Sequence, residues 1–253
     1  MSIEDIFGLK GEHALVTGGG SGLGLAIAKC FVEAGAKVTI VGTNSDKLNK
    51  ACDGLGPSAS HSVFDVTDTA GADAFAQDIE QRFGRVSILV NNAGNTVKKP
   101  LGDMRVEDFN AVMNVHVGGA FALSRAYLPQ VSAAKGSILF TASMSSFLGI
   151  PNVIGYSAAK SAYVGMVRAL ATELAPSGVR VNGVAPGWID TALLRQATAA
   201  DAERARKINS RIPMGRFGEG ADIGWAMTYL ASRAAAYVTG HIVVVDGGAL
   251  HGF

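Results

Sequence analysis

A chain of 253 residues, 48% hydrophobic and only 17% charged, can bury a sizeable core as one large α/β domain or two small ones, which excludes a disordered class. The formal net charge of +1, with both signs spread along the chain, argues against a nucleic-acid or anionic-membrane partner. No apolar run is long enough to span a bilayer, and Cys30 and Cys52 lack metal-ligand spacing, which predicts reduced thiols in a cytoplasmic protein.

The opening stretch MSIEDIFGLKGEH carries acids early and has no continuous apolar segment, so it does not read as a secretory signal. Short β-branched runs then alternate with helical patterns. Strands are predicted at 13–17, 37–41, 62–66, 87–91, 137–142, 179–185 and 241–246, and helices near 22–34, 45–53, 70–84, 106–134, 153–175 and 220–232. This alternation implies βαβ crossovers and a parallel sheet covered on both faces, with near-continuous apolar strands as such burial demands. No linker, repeat or low-complexity tract interrupts it, which predicts a single domain over 1–253. One segment departs from the rhythm. From Trp188 to Phe217 the chain is helical in pattern and dense in Ala and Arg, and it reads as a lid or substrate loop.

The first strand runs into TGGGSGLGLAIAKCF, where glycines leave a strand and open a helix. Gly18 permits a tight turn, Gly22 a close approach by a pyrophosphate and Gly24 the packing of helix on strand. The helix N-terminus adds oriented N–H groups and a positive dipole end. A plain strand–helix turn is the alternative. Later, YSAAK places Tyr156 and Lys160 one turn apart on a helix face. His13, His61, His116, His241 and His251 form no metal-binding pattern, so no protein-bound metal is expected.

The spacing Thr-Gly-x-x-x-Gly-x-Gly over 17–24 is followed by NNAG at 91–94, after the fourth strand, and by Asn114 in the next helix. Ser143 stands past the fifth strand, then come Tyr156 and Lys160, and PG at 186–187 follows the sixth strand. With these marks in order from Leu9 to the VDGG of 245–248, the chain resembles the short-chain dehydrogenase/reductase family. The resemblance implies a Rossmann-type doubly wound sheet of seven parallel strands in the order 3-2-1-4-5-6-7, with helices on both faces. It also implies hydride exchange between NAD(P) and a carbonyl or secondary alcohol, and a homotetramer built through the helices near 106–134 and 153–175.

By the same resemblance, Thr17, Gly18, Ser21, Gly22, Leu23 and Gly24 form the pyrophosphate turn, and Asp65 with the backbone of Val66 meets the adenine. Asn91, Ala93 and Gly94 line the crevice, Tyr156 and Lys160 reach the nicotinamide ribose, and Gly187, Ile189 and Thr191 hold the carboxamide. After the second strand, Gly42-Thr43-Asn44-Ser45 offers neither the acid that selects NAD nor an arginine for NADP. Thr43, Asn44 and Ser45 can donate to a phosphate, which tips the balance to NADP, with Lys47 read as a solvated helix residue rather than a phosphate ligand.

The expected chemistry follows. Ketone reduction needs a hydride on carbon and a proton on oxygen, and a free phenol with a pKa near 10 exchanges protons poorly at neutrality. A cation one turn away, with the positive ring of an oxidised nicotinamide, favours tyrosinate. By resemblance Ser143 stabilises charge on the substrate oxygen, and Asn114 holds a water in a relay to Lys160. The substrate pocket is expected from Asn95 to Lys99, Ser145 to Asn152 and Trp188 to Leu194, with Lys98 and Lys99 either solvated or facing a substrate anion. Three readings stay open: a sugar- or polyol-type dehydrogenase, a 3-oxoacyl thioester reductase, and a non-catalytic dinucleotide-binding sensor or scaffold.

Overall fold

In chain order, the computed structural model runs α1 (Ile3–Phe7), β1 (His13–Thr17), α2 (Gly22–Glu33), β2 (Lys37–Gly42), α3 (Ser45–Leu55), β3 (Ala59–Val63), α4 (Ala72–Phe83) and β4 (Ile88–Asn91). It continues with α5 (Val106–Met113), a π-helical stretch (Asn114–Gly118), α6 (Gly119–Ala134), β5 (Ser137–Thr141), α7 (Ile154–Leu174) and β6 (Arg180–Pro186). α8 (Ala202–Asn209), α9 (Gly220–Ala231) and β7 (Ile242–Val245) complete it. The structure describes residues 2–191 and 202–252, with the backbone alone at 202, 204, 205 and 207. Among these residues one seven-stranded sheet has the order β3-β2-β1-β4-β5-β6-β7, and every pairing is parallel. The order reverses between β1 and β4, and this reversal opens the crevice at the strands' C-terminal ends.

Period-2 alternation sorts the apolar side chains onto two faces. Ala14 and Val16 of β1, with Ile88 and Val90 of β4, pack under α2, α3 and α9. Leu15 and Leu89, with Ile138 and Phe140 of β5, pack under α4, α6 and α7. The sheet is therefore sealed on both sides, which explains why its central strands read as unbroken apolar runs. Truncating Leu89, fully buried in the second cluster, to Ala would cost about 2–5 kcal/mol.

Three expectations need correction. The third strand lies at Ala59–Val63, not 62–66. It is an edge strand and only half-buried, so the apolar SVFDV run misled; Phe64 has already left the strand and stacks on Phe75 with centroids 4.1 Å apart. The helix at 106–134 is broken into α5, the π-helical stretch and α6. α1 was not anticipated, although Ser2 and Asp5 form a capping box at its start.

Candidate active site

The cofactor half of the crevice is built almost wholly from backbone. Gly18 and Gly22 take positive φ values of 65° and 55°, a conformation that glycine adopts without strain. A Cβ at Gly18 would stand 3.0 Å from the Ala93 Cα, and one at Gly24 would collide with the Gly18 carbonyl, whereas nothing lies within 4 Å of Gly22. The turn is thus closed toward the protein and open toward the crevice. Beside it a cleft of about 370 Å³ is walled by Gly18, Gly20, Ser21, Thr43, Asn44, Lys47, Asp65, Val66, Ala93 and Gly94. Ser21 occupies the N-cap of α2 but its side chain makes no capping bond. Size, open glycine cradle and two helix N-termini fit the adenosine and phosphate groups of a dinucleotide.

Several expected contacts change character. Thr17 is 1% exposed; its hydroxyl donates to the Val90 carbonyl at 3.1 Å and accepts from the Asn92 and Ala93 amides at 2.9 and 3.0 Å. With its hydroxyl so committed, the side chain ties β1 to the 91–94 turn. Asn92, which the sequence reading passed over, completes that tie: its Nδ2 donates to the Thr17 carbonyl at 2.9 Å and its Oδ1 accepts from Thr141 at 3.1 Å. Asn91 lies beneath the crevice, 2% exposed, with Nδ2 donating to Ser124. Leu23 is half-buried and packs its side chain into the core under α2, so it can offer the crevice only backbone.

Asn44 caps α3, its Oδ1 accepting from the Lys47 amide at 2.9 Å, so only its Nδ2 can serve a ligand. Lys47 is exposed on α3, as a solvated helix residue would be, and stands at the rim of the cleft. Asp65 Oδ1 accepts from both the amide and the hydroxyl of Thr67, which fixes the carboxylate on the cleft wall.

The chemical half is built from side chains brought together by three parts of the chain. Lys160 of α7 is 3% exposed, and its Nζ donates to the Thr141 carbonyl at the end of β5 at 2.6 Å. Burial pulls this ammonium down to about 7. The Nζ lies 5.6 Å from the Tyr156 ring centroid and 4.8 Å from that of Tyr163. Ser143 sits in extended backbone just past β5, caps the following turn by accepting from the Ser145 amide, and stands close enough to the Tyr156 phenol to oppose the rise in its pKa.

Within the chain itself Lys160 does not lower the Tyr156 pKa; the expected lowering also counts the positive nicotinamide ring. Burial raises that phenol, and the neighbouring Ser143 hydroxyl opposes the rise. The reason is that Lys160 turns its Nζ to a backbone carbonyl and is itself half-neutral near pH 7.

Asn114 is exposed at the first position of the π-helical stretch, and a residue two positions along faces the other side of a helix. That residue is His116, 1% exposed, whose ring meets Tyr156 edge-on with centroids 5.7 Å apart. Burial, then the Lys160 charge, lower its pKa to about 4. The signal was present in the sequence: counting in helical steps from Val112 through 116 to Ala120 puts His116 on the buried stripe and Asn114 off it.

At the substrate end, Lys99 is spent. Its Nζ sits 2.7 Å from Asp108, and that bond, then the Arg105 amide donating to the same carboxylate, hold the carboxyl at about 2. Lys98 remains exposed. The Lys99 amide donates to the Asn152 carbonyl at 2.9 Å, linking two of the three expected pocket segments. In the third, Gly187 packs against Asp246, and Asp190 and Trp188 pair with Gly218. That pairing leaves the N–H and C=O of Ile189 outside it, directed away from Gly218, with Thr191 two residues on. The rest of that segment, to Leu194, and the 192–201 part of the expected lid lie outside the described residues.

Comparison with known proteins agrees with this geometry. A family model described as Enoyl-(Acyl carrier protein) reductase matches residues 18–250. A 2-dehydro-3-deoxy-D-gluconate 5-dehydrogenase of Pseudoalteromonas atlantica is 39% identical, covering 96% of this chain and 97% of its own. A 3-oxoacyl-[acyl-carrier-protein] reductase of Thermotoga maritima is 36% identical, covering 95% and 98%. A crystal structure of a gluconate 5-dehydrogenase from Burkholderia cenocepacia, in complex with NADP and tartrate, superposes with a TM-score of 0.94 at 34% identity, covering 100% of both chains.

Proposed function

The chain belongs to the short-chain dehydrogenase/reductase family, and we propose that it is an NADP-preferring dehydrogenase of a sugar- or polyol-type secondary alcohol. The observation that carries this reading is the Ser143–Tyr156–Lys160 cluster, with Ser143 and Lys160 buried and Tyr156 half-buried, standing beside a glycine-lined dinucleotide cleft. Relatives that act on gluconate-type substrates support the substrate class.

The bound nicotinamide supplies hydride exchange with the substrate carbon. The chain supplies the proton. Tyr156 holds it on its hydroxyl, next to where the substrate oxygen would sit, and passes it over as charge develops there. The Ser143 hydroxyl faces the same oxygen and the phenol, so it stabilises negative charge on either. Lys160, poised at about 7, can gain or lose a proton at working pH and reload the phenol behind it. Gly18 and Gly22 admit the phosphates, Asp65 and Val66 meet the adenine, and Lys47 with Thr43 and the Asn44 Nδ2 serves a 2′-phosphate. Gly94 and the Ile189 backbone border the nicotinamide end.

Homotetramer formation and a cytoplasmic location belong to the same proposal. Phe121 on α6, Ile154 on α7 and Trp225 on α9 are large apolar residues left exposed at 58%, 47% and 46%, and β7 is a half-buried edge strand. Among the described residues no helix is long and apolar enough to cross a membrane. Light scattering should return four chains per particle.

The deciding experiment follows nicotinamide absorbance with purified chain, NAD or NADP, and a panel of sugar acids, polyols and β-keto thioesters. Turnover of sugar acids or polyols with NADP is expected. Turnover of β-keto thioesters alone would establish the 3-oxoacyl reductase reading. Silence throughout, with tight cofactor binding, would leave a sensor.

A further inference from the structure

His116 makes polar contacts that none of the roles above uses. Its Nε2 lies 2.9 Å from the Asn95 carbonyl and 3.1 Å from the Asn95 amide nitrogen, so one of the two is satisfied in either neutral tautomer. Among the described residues its Nδ1 is buried without a partner, so the ring directs its hydrogen bonding wholly at Asn95. The Cε1 edge lies against the Gly94 Cα, where a Cβ would collide with the ring. The opposite contacts are to α7: the ring meets Tyr156 and Tyr163 edge-on, and the His116 carbonyl accepts from the Tyr163 hydroxyl at 3.1 Å. The ring therefore stands between the turn that starts the substrate loop and the helix that carries Tyr156 and Lys160. An apolar ring would fill the same space without burying an unpartnered nitrogen, which makes the Nε2 contact the chemical reason for a histidine there.

We propose that His116 is a positioning residue, fixing the Gly94–Asn95 turn against the Tyr156 hydroxyl through its Nε2. The inference rests on the oxidoreductase reading of this site. His116 acts as a neutral hydrogen-bonding group: the titratable groups against it are Lys160, Tyr156 and Tyr163, all from α7, and neither burial nor the Lys160 charge favours an imidazolium.

Two variants separate bonding from packing. His116→Phe keeps the ring and removes both nitrogens; His116→Gln keeps a donor and an acceptor at the reach of Nε2. His116→Phe should lose about 10²-fold in kcat/KM, chiefly in kcat, because a turn displaced by an ångström misaligns the reacting groups. The NADP dissociation constant should stay within about threefold, because the phosphate cradle lies elsewhere. His116→Gln should restore most of the rate and leave the pH profile of kcat/KM in place. Full activity in His116→Phe would overturn the proposal. So would a pH limb lost in His116→Gln, which would make the ring a proton carrier instead.

Amide hydrogen exchange of the unliganded chain tests His116 without any substrate. The Asn95 amide should exchange about tenfold faster in His116→Phe, the factor expected from losing one hydrogen bond, and at the wild-type rate in His116→Gln. Equal rates in all three chains, at matched melting temperatures, would refute the positioning role even if the substrate panel proved silent.

Discussion

The two halves of the crevice are made in opposite ways. The adenosine half depends on backbone: positive-φ glycines, helix N-termini and a cleft that stays open because side chains are missing. The chemical half depends on side chains buried deeply enough to shift their protonation, drawn from the π-helical stretch, the residues just past β5 and α7. A backbone cradle is written in neighbouring residues. A protonation state is set by whatever packs around a group, wherever in the chain that comes from.

Substitutions on either side should separate these modes. Tyr156→Phe should cut kcat by about 10²- to 10⁴-fold, the usual range for losing a general acid–base group, and leave NADP affinity nearly unchanged by titration. A retained rate would mean the chemical half needs no phenol.

Lys160→Met tests burial as the source of the protonation shift. In the wild-type chain the folded Lys160 loses its proton near pH 7 while the unfolded one holds it to about 10.4. The unfolded state thus binds more protons between those values, and wild-type stability gains up to about 1.4 kcal/mol per pH unit as pH rises through the window. In Lys160→Met that gain should vanish. Parallel stability–pH curves for the two chains would show that Lys160 titrates normally.

In the cofactor half, Lys47→Ala should weaken NADP by about tenfold, consistent with one charge-assisted contact to a phosphate, and leave NAD unaffected. Equal losses for both cofactors would place Lys47 away from the 2′-phosphate. Asn44→Ala should cost about 1 kcal/mol of stability through the lost α3 cap. Asn44→Asp should keep the cap while disfavouring NADP relative to NAD, measured as the ratio of kcat/KM values.

The fold was legible because its signals are local. Apolar runs, helix stretches and the Gly18–Gly24 turn each announce themselves within a dozen residues, and six of the seven strands lie within one residue of the predicted bounds. The third strand slipped because an edge strand need not be apolar. In the site, the spacing of Tyr156 and Lys160 and the family resemblance of Ser143 point to three residues that the structure holds close together. His116 is legible only through helix periodicity, which puts it on the buried face of the π-helical stretch while Asn114 faces solvent. Thr17 serves as a brace, its hydroxyl committed to β4 and the turn beyond.

By itself the sequence determined the parallel α/β sheet, the glycine turn and the tyrosine–lysine pair, since each follows from periodicity or from residues a turn apart. Only the tertiary structure decided that Lys99 is paired with Asp108, that Lys47 faces the cleft and that the phenol is raised rather than lowered. Charge pairing and desolvation depend on distances between segments far apart in the chain, and no local pattern encodes those distances.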